Sequence, residues 1–235
     1  MKNIIITGAS RGIGFETALE LSRDRRNKVF AIARSREGLK KLENHCRQET
    51  GFDNVRIFPF DLVEGDFDST LLHEIQEHMD KIDILVVNAG TLIHKPFEMM
   101  EEEDFDQIFN TNVKSVFNLV KCLYFNFADN SHILTIGSMG GFQGSVKFPG
   151  LSLYSASKGA LAILTECLAE EFKGRGIRVN CLALGSARTE MMAEAFPGYH
   201  APLSAGEMES FIADFALRGH RWFNGKILPV SVSTP

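Results

Sequence analysis

The sequence predicts an α/β protein: a doubly wound parallel sheet of about seven strands with helices on both faces, stacked as three layers. Three observations predict it. Short β-branched runs alternate with amphipathic segments along the whole chain. The runs are apolar throughout, not at every second residue, as strands buried on both faces require. A glycine-rich turn lies directly between the first run and the first amphipathic segment. In such a sheet ligands bind beyond the carboxyl ends of the strands, so the residues that follow each run carry the functional information.

The first run, residues 3–7, leads into Thr7-Gly8-Ala9-Ser10-Arg11-Gly12-Ile13-Gly14. Glycines there allow a tight turn and the close approach of an anion. The helix that follows, 12–23, offers free N–H groups and the positive end of its dipole, which suits a dinucleotide pyrophosphate. The second run, 28–33, ends in Ala33-Arg34-Ser35 with no acidic side chain. A helix over 36–48 precedes the third run, 55–59, which is followed by Asp61-Leu62. The next helix, 68–79, holds His73 and His78. Their spacing sets them about 140° apart, so they do not share a metal. The fourth run, 82–88, ends in Asn88-Ala89-Gly90. The acidic group Glu98, Glu101, Glu102, Glu103, Asp104 and Asp106 reads as the solvated first turn of a long helix over 102–125. Within that helix Asn112 holds an unfavourable interior position that invites explanation. The fifth run, 132–138, ends in Ser138. Tyr154 and Lys158 stand four apart on a helix over 154–173 and project from one face, where the ammonium favours the tyrosinate. The sixth run, 178–184, is followed by Gly185-Ser186-Ala187-Arg188-Thr189, then by a helix over 206–216 and a last run at 226–230.

Composition bounds the rest. The 235 residues, 44% hydrophobic and 23% charged, suit one globular domain over 1–235. A net charge of -5 argues against nucleic acid as ligand and against a basic membrane anchor. The longest uncharged segment, 130–146, is broken by glycines and serines, and the amino-terminal apolar run is too short for a signal peptide. A cytoplasmic protein with no membrane partner is expected. Cys46, Cys122, Cys167 and Cys181 are widely spaced and read as reduced thiols. No metal site is expected. Ser138, Asp214 and His220 follow hydrolase chain order, but a nucleophile elbow needs glycine two residues before the serine, where Ile136 stands.

In order and spacing, Thr7-Gly8-x-x-x-Gly12-x-Gly14, Asn88-Ala89-Gly90, Ser138 and Tyr154-Ser155-Ala156-Ser157-Lys158 resemble the short-chain dehydrogenase/reductase family, to about residue 230. The resemblance implies a Rossmann-type fold and an oxidoreductase that moves hydride between a nicotinamide and a carbonyl or secondary alcohol. It implies that Tyr154 is the general acid or base and that Lys158 also holds the nicotinamide ribose. Ser138 would orient the substrate oxygen and Asn112 support a proton relay through water. Gly8, Ser10, Arg11, Gly12, Ile13 and Gly14 would form the cofactor loop. Asp61 and Leu62 would lie beside the adenine, and Asn88, Ala89 and Gly90 along its ribose. Thr189, with Gly185 in the same segment, would lie beside the carboxamide. NAD-specific relatives carry an acid where Ala33 stands, whereas Arg11, Arg34 and Ser35 suit a 2′-phosphate, so NADP(H) is expected, with NAD(H) the alternative. Two positions depart from the family pattern: Leu184 replaces a proline before Gly185, and Asn224-Gly225-Lys226 replaces the usual D-G-G ending.

Segment 139–150 and a lid over about 189–208 are expected to form the substrate pocket. Their Phe142, Gln143, Phe148, Met191, Met192 and Phe196 suggest an apolar or aromatic ketone or aldehyde. The helices over 102–125 and 154–173 carry apolar residues on more than one face, and the resemblance implies a homodimer or homotetramer through them. The alternative is a non-catalytic dinucleotide-binding regulatory protein of the same fold. The presence of Asn112, Ser138, Tyr154 and Lys158 together favours the enzyme.

Overall fold

The computed structural model describes residues 1–188, 190–196, 198 and 203–231. Strand β1 (Lys2–Thr7) is apolar on both sides: Ile4 and Ile6 enter one core, and Ile5 enters the other. The same division recurs in β2 (Asn27–Ala33), β3 (Val55–Pro59), β4 (Ile82–Val87), β5 (Phe127–Ser138) and β6 (Arg178–Leu184). Two short strands, β7 (Ala187–Arg188) and β8 (Leu203–Ser204), pair with each other, and β9 (Ile227–Val230) closes the main sheet. Its order is β3-β2-β1-β4-β5-β6-β9, and every neighbouring pair is parallel. The chain runs outward from β1 to β3, then returns to lay β4 on the other side of β1. A crevice therefore opens where the crossovers part, at the carboxyl ends of β1 and β4.

The helices are α1 (Gly12–Ser22), α2 (Arg36–Thr50), α3 (His73–His78), α4 (Glu102–Phe109), α5 (Ser115–Leu123), α6 (Ser152–Glu171), α7 (Glu190–Ala195) and α8 (Ala205–Arg218). Side chains of α1, α2 and α8 cover one face of the sheet, through residues such as Leu21, Leu42 and Ile212. Side chains of α3, α5 and α6 cover the other, through Ile75, Leu119 and Leu161. This is the expected three-layer arrangement. No described helix is long and apolar enough to cross a membrane. All four cysteines are free.

The structure refines several boundaries. β5 starts at Phe127, five residues before the apolar run, because a register shift between Ile82 and Ile84 and a positive φ at Asn130 let a polar stretch pair as well. The expected helix over 102–125 is two helices joined by a π-turn, Asn110–Lys114. Strands β7 and β8 and helix α7 are too short to leave a periodic signature in the sequence. Leu184 keeps β6 paired on both sides, with Ser138 and with Val230, so the departure from proline leaves the strand intact.

A polar network crosses the core where the apolar part of β5 begins. His132 is fully buried, its Nδ1 2.9 Å from the Ala216 carbonyl and its Nε2 3.1 Å from the Asn180 amide nitrogen. The carbonyl can only accept, so Nδ1 carries the proton and Nε2 accepts from Asn180. Asn180 also donates to the Phe223 carbonyl (3.0 Å) and accepts from Lys226 N–H (3.2 Å). One neutral imidazole thus ties β5 and β6 to the end of α8 and to the start of β9. Burial lowers its pKa from 6.5 to about 4. Above pH 6.5 neither the folded nor the unfolded imidazole is charged, and the network contributes fully. As pH falls from there toward 4, the unfolded chain binds a proton that the folded one refuses, so stability declines. Denaturant unfolding across this window should show a loss of about 3 kcal/mol from this residue. His132→Asn should be less stable at neutral pH and lack that part of the acid slope. Parallel slopes for the two proteins would contradict the assignment.

Candidate active site

The strand ends build the site. After Thr7 the chain turns through Gly8, whose φ of +68° lies in the left-handed region that favours glycine. Ala9 N–H donates to the Ile32 carbonyl at 3.3 Å, laying the loop against β2. Asn88, just past β4, grips the same loop. Its backbone N–H and that of Ala89 donate to Thr7 Oγ1 at 3.1 and 3.0 Å. Its Nδ2 donates to the Thr7 and Gly8 carbonyls at 3.1 and 3.2 Å. A Cβ on Gly14 would collide with Asn88 Nδ2 and with the Gly8 carbonyl, so α1 reaches the loop only because residue 14 has no side chain. The first turn of α1 holds no acidic residue, which leaves the positive end of its dipole unneutralised.

A cavity of about 1080 Å³ runs along these strand ends. Gly8, Ser10, Arg11, Gly12, Ile13 and Gly14 line it from the loop and α1. Arg34 and Ser35 line it after β2, and Asp61 and Leu62 after β3. Asn88, Ala89 and Gly90 follow β4, while Ser138, Tyr154, Lys158 and Gly185 line the far end. Thr189 lies outside the described residues. Of the expected substrate-pocket residues, Phe148 and Phe196 line the cavity together with Met139, whereas Phe142 and Gln143 do not. The side chains of Met191 and Met192 are not among those described. Among the described residues no group of His, Cys, Asp and Glu side chains could hold a metal.

Ser138, Tyr154 and Lys158 come together because two pieces of irregular backbone press against α6. The turn that follows Ser138 is capped by its own hydroxyl, which accepts from Gly140 N–H at 3.1 Å. On the other side stands Asn112, 1% exposed in the π-turn. Its Oδ1 accepts from Thr91 N–H (2.8 Å), and its Nδ2 donates to the Thr91 carbonyl and to Ser157 Oγ, both at 2.9 Å. Asn112 therefore bolts the loop after β4 to α6. Both ends of its amide bond protein groups, which explains its interior position. A Cβ on Gly90 would lie 3.2 Å from both Asn112 Oδ1 and Lys158 Nζ, so these three residues meet at one point.

Lys158 is 5% exposed, and its Nζ donates to the Ile136 carbonyl at 2.9 Å. It lies 5.9 Å from the centre of the Tyr154 ring. Burial lowers its pKa to about 8. Burial also pushes the Tyr154 phenol above its ordinary value, and the Ser138 hydroxyl opposes that shift. The sequence-based expectation of a lowered phenol pKa is thus reversed for the protein atoms alone. Desolvation in the packed interior is the main cause of both shifts, since it disfavours the charged form of each group.

Some lining residues carried no motif. Glu37 and Lys41, on α2, line the cavity near the end of β2, and Leu92 and Leu151 also line it. The i,i+4 spacing of Glu37 and Lys41 after an N-capping serine is the signal that could have found them. Arg11 lines the cavity, but its guanidinium pairs with Glu190 (3.1 Å) and Glu194 (3.3 Å) of α7. At the other side of α7, the Phe196 ring lies 4.7 Å from that of His94.

Residues 2–200 match the family model for short chain dehydrogenases. The chain belongs to the short chain dehydrogenase family. Among the relatives of this short chain dehydrogenase, a hydroxynaphthalene reductase-like protein, Arp2, from Metarhizium brunneum is 31% identical over 190 residues. That match covers 81% of this chain and 70% of the relative. A 3-oxoacyl-(acyl-carrier-protein) reductase, FabG, from Thermotoga maritima is 32% identical over 81% of this chain and 76% of its own. A short chain dehydrogenase from Escherichia coli, solved with NADPH, superposes with a TM-score of 0.88 at 27% identity. It covers 97% of this chain and 95% of its own.

The grip of Asn88 on the glycine loop of this short chain dehydrogenase leaves no room for a side chain at Gly14. Gly14→Ala should lower stability by about 1–3 kcal/mol through overpacking. A Cβ at Gly174 would meet nothing within 4 Å, so Gly174→Ala should stay within about 0.5 kcal/mol of the parent. Thermal unfolding of the two variants side by side checks this contrast.

Proposed function

We propose that this short chain dehydrogenase is an NADP(H)-dependent oxidoreductase acting on a small carbonyl or secondary alcohol, with an apolar or aromatic ketone or aldehyde as substrate. The observation that carries the reading is the convergence of Ser138, Tyr154 and Lys158 at one end of a cavity whose other end is a glycine cradle. The residues fit a dinucleotide. The glycine loop and the start of α1 would hold the pyrophosphate, Asp61 and Leu62 the adenine, and Asn88 to Gly90 the adjoining ribose. Arg34 makes no ion pair among the described residues, and no acid stands at Ala33, which favours a 2′-phosphate over bare ribose hydroxyls. Tyr154 and Lys158 would hold the second ribose. Gly185 and Thr189 would lie near the carboxamide. When bound, the nicotinamide supplies or accepts the hydride.

The chain's own residues then handle the proton. Ser138 holds the substrate oxygen by a hydrogen bond, and the Tyr154 phenol gives that oxygen a proton during reduction or takes one during oxidation. A phenol raised by burial resists losing its proton before substrate arrives. Lys158, buried and fixed to the Ile136 carbonyl, balances the charge that develops on Tyr154. Asn112 keeps α6 and the loop after β4 in register. Leu92, Met139, Phe148, Leu151 and Phe196 give the substrate end an apolar, partly aromatic wall. An aromatic ketone is consistent with the relative named as a hydroxynaphthalene reductase-like protein.

NADPH consumption across a panel of aromatic ketones, quinones, aldehydes and 3-oxoacyl thioesters tests the reading. Tyr154→Phe should reduce turnover on any substrate found by about 10²–10⁴-fold with NADPH binding little changed. Turnover within threefold of the parent would defeat the role given to Tyr154.

The same reading includes assembly through α4, α5 and α6. Phe105, Phe117, Phe125 and Ile163 are 45%, 51%, 79% and 60% exposed on these helices and the turn after α5. Apolar side chains exposed together on neighbouring helices mark a protein interface. Light scattering should report a dimer or tetramer at micromolar concentration, and Phe117→Glu should shift it toward monomer. A stable monomer in the parent protein would refute this.

A further inference from the structure

At the adenosine end of the cavity Arg11 and Lys41 are held by carboxylates, whereas Arg34 is not held by one among the described residues. Arg11 is held by Glu190 and Glu194. Lys41 Nζ lies 3.0 Å from Glu37 Oε1. Arg34 makes no ion pair among the described residues. Glu37 and Lys41 reach the cavity because α2 starts beside it. Ser35 caps the helix by accepting from Gly38 N–H at 3.1 Å. A Cβ on Gly38 would lie 2.6 Å from the Ser10 carbonyl oxygen, so this residue lets the helix press directly on the glycine loop. Residues 37, 38 and 41 share one face of α2, and that face looks into the cavity.

We propose that Lys41 and Glu37 set the preference for a 2′-phosphate, and that they act in opposite directions although they are partners. The proposal rests on the NADP(H) reading above. Lys41 supplies a second cation beside Arg34. Glu37 restrains Lys41 and repels the phosphate. Both side chains are mostly exposed, at 71% and 82%, so their pairing in water is weak and easily exchanged. A phosphate carrying more than one negative charge outcompetes a single carboxylate for the ammonium. No bond is made or broken in this exchange; only the partner of the ammonium changes. An i,i+4 pair that merely stabilised α2 would give both substitutions the same sign.

The test uses two ligands that differ only by the 2′-phosphate, adenosine 2′,5′-bisphosphate and adenosine 5′-monophosphate. Neither can take part in turnover. Binding is measured by calorimetric titration of the full chain at low salt. The parent protein should bind the bisphosphate more tightly. Lys41→Gln should weaken the bisphosphate about fivefold and Glu37→Gln tighten it about threefold, with the monophosphate unchanged in both. High salt should compress these differences, because the charges are exposed. Shifts below twofold, or shifts of the same sign in the two variants, overturn the proposal while leaving the NADP(H) reading in place. Equal binding of the two ligands by the parent protein would remove the NADP(H) reading itself, and the proposal with it.

Discussion

The hydrogen bonds between Thr7 and the residues after β4 hold the rest of the site in place. Where the crossovers part, the ends of β1 and β4 lose their regular ladder, and backbone groups left without partners there would be costly. The Thr7 hydroxyl accepts from two N–H groups, and the Asn88 amide donates to two carbonyls, so that the gap is closed by side chains instead. This fixes the glycine loop to β4, and through Gly14 it fixes the start of α1 to the same point. The cavity wall at the loop is consequently tied to the sheet by four hydrogen bonds.

A second anchor holds α6. Lys158 is a buried cation, and burying an ammonium is unfavourable unless its donors find partners. The Ile136 carbonyl provides one, while burial itself lowers the pKa of the lysine. The π-turn at Asn112 supplies the opposing brace, through bonds to Thr91 and Ser157. Extra residues in a helical turn disturb the regular ladder, and such turns recur where function dictates side-chain placement. The cavity is therefore uneven in its mechanics. Its inner end is set by buried hydrogen bonds, whereas α7 at its mouth is tied by exposed ion pairs of Arg11, which contribute little in water.

The sheet, its parallel pairing and its two buried faces were legible in the sequence because apolar runs such as Ile4-Ile5-Ile6 leave no polar side for water. The glycine loop, Asn88, Ser138, Tyr154 and Lys158 were legible because each follows a strand or stands at helical spacing. The tertiary structure alone decided what depends on distances between elements far apart in the chain. It joined Arg11 to Glu190 and Glu194, and it turned the Asn112 amide onto Thr91 and Ser157. It also set the direction of the Tyr154 and Lys158 pKa shifts, since desolvation is a property of the packed interior and has no sequence pattern. The start of β5 at Phe127 belongs to the same class: pairing with β4 decides it, not the polarity of Asp129 and Asn130. Local patterning specified which elements form and where chemistry can stand. Close packing between those elements specified which side chains touch, because contact at a few ångströms is set by the whole fold and by no single segment of it.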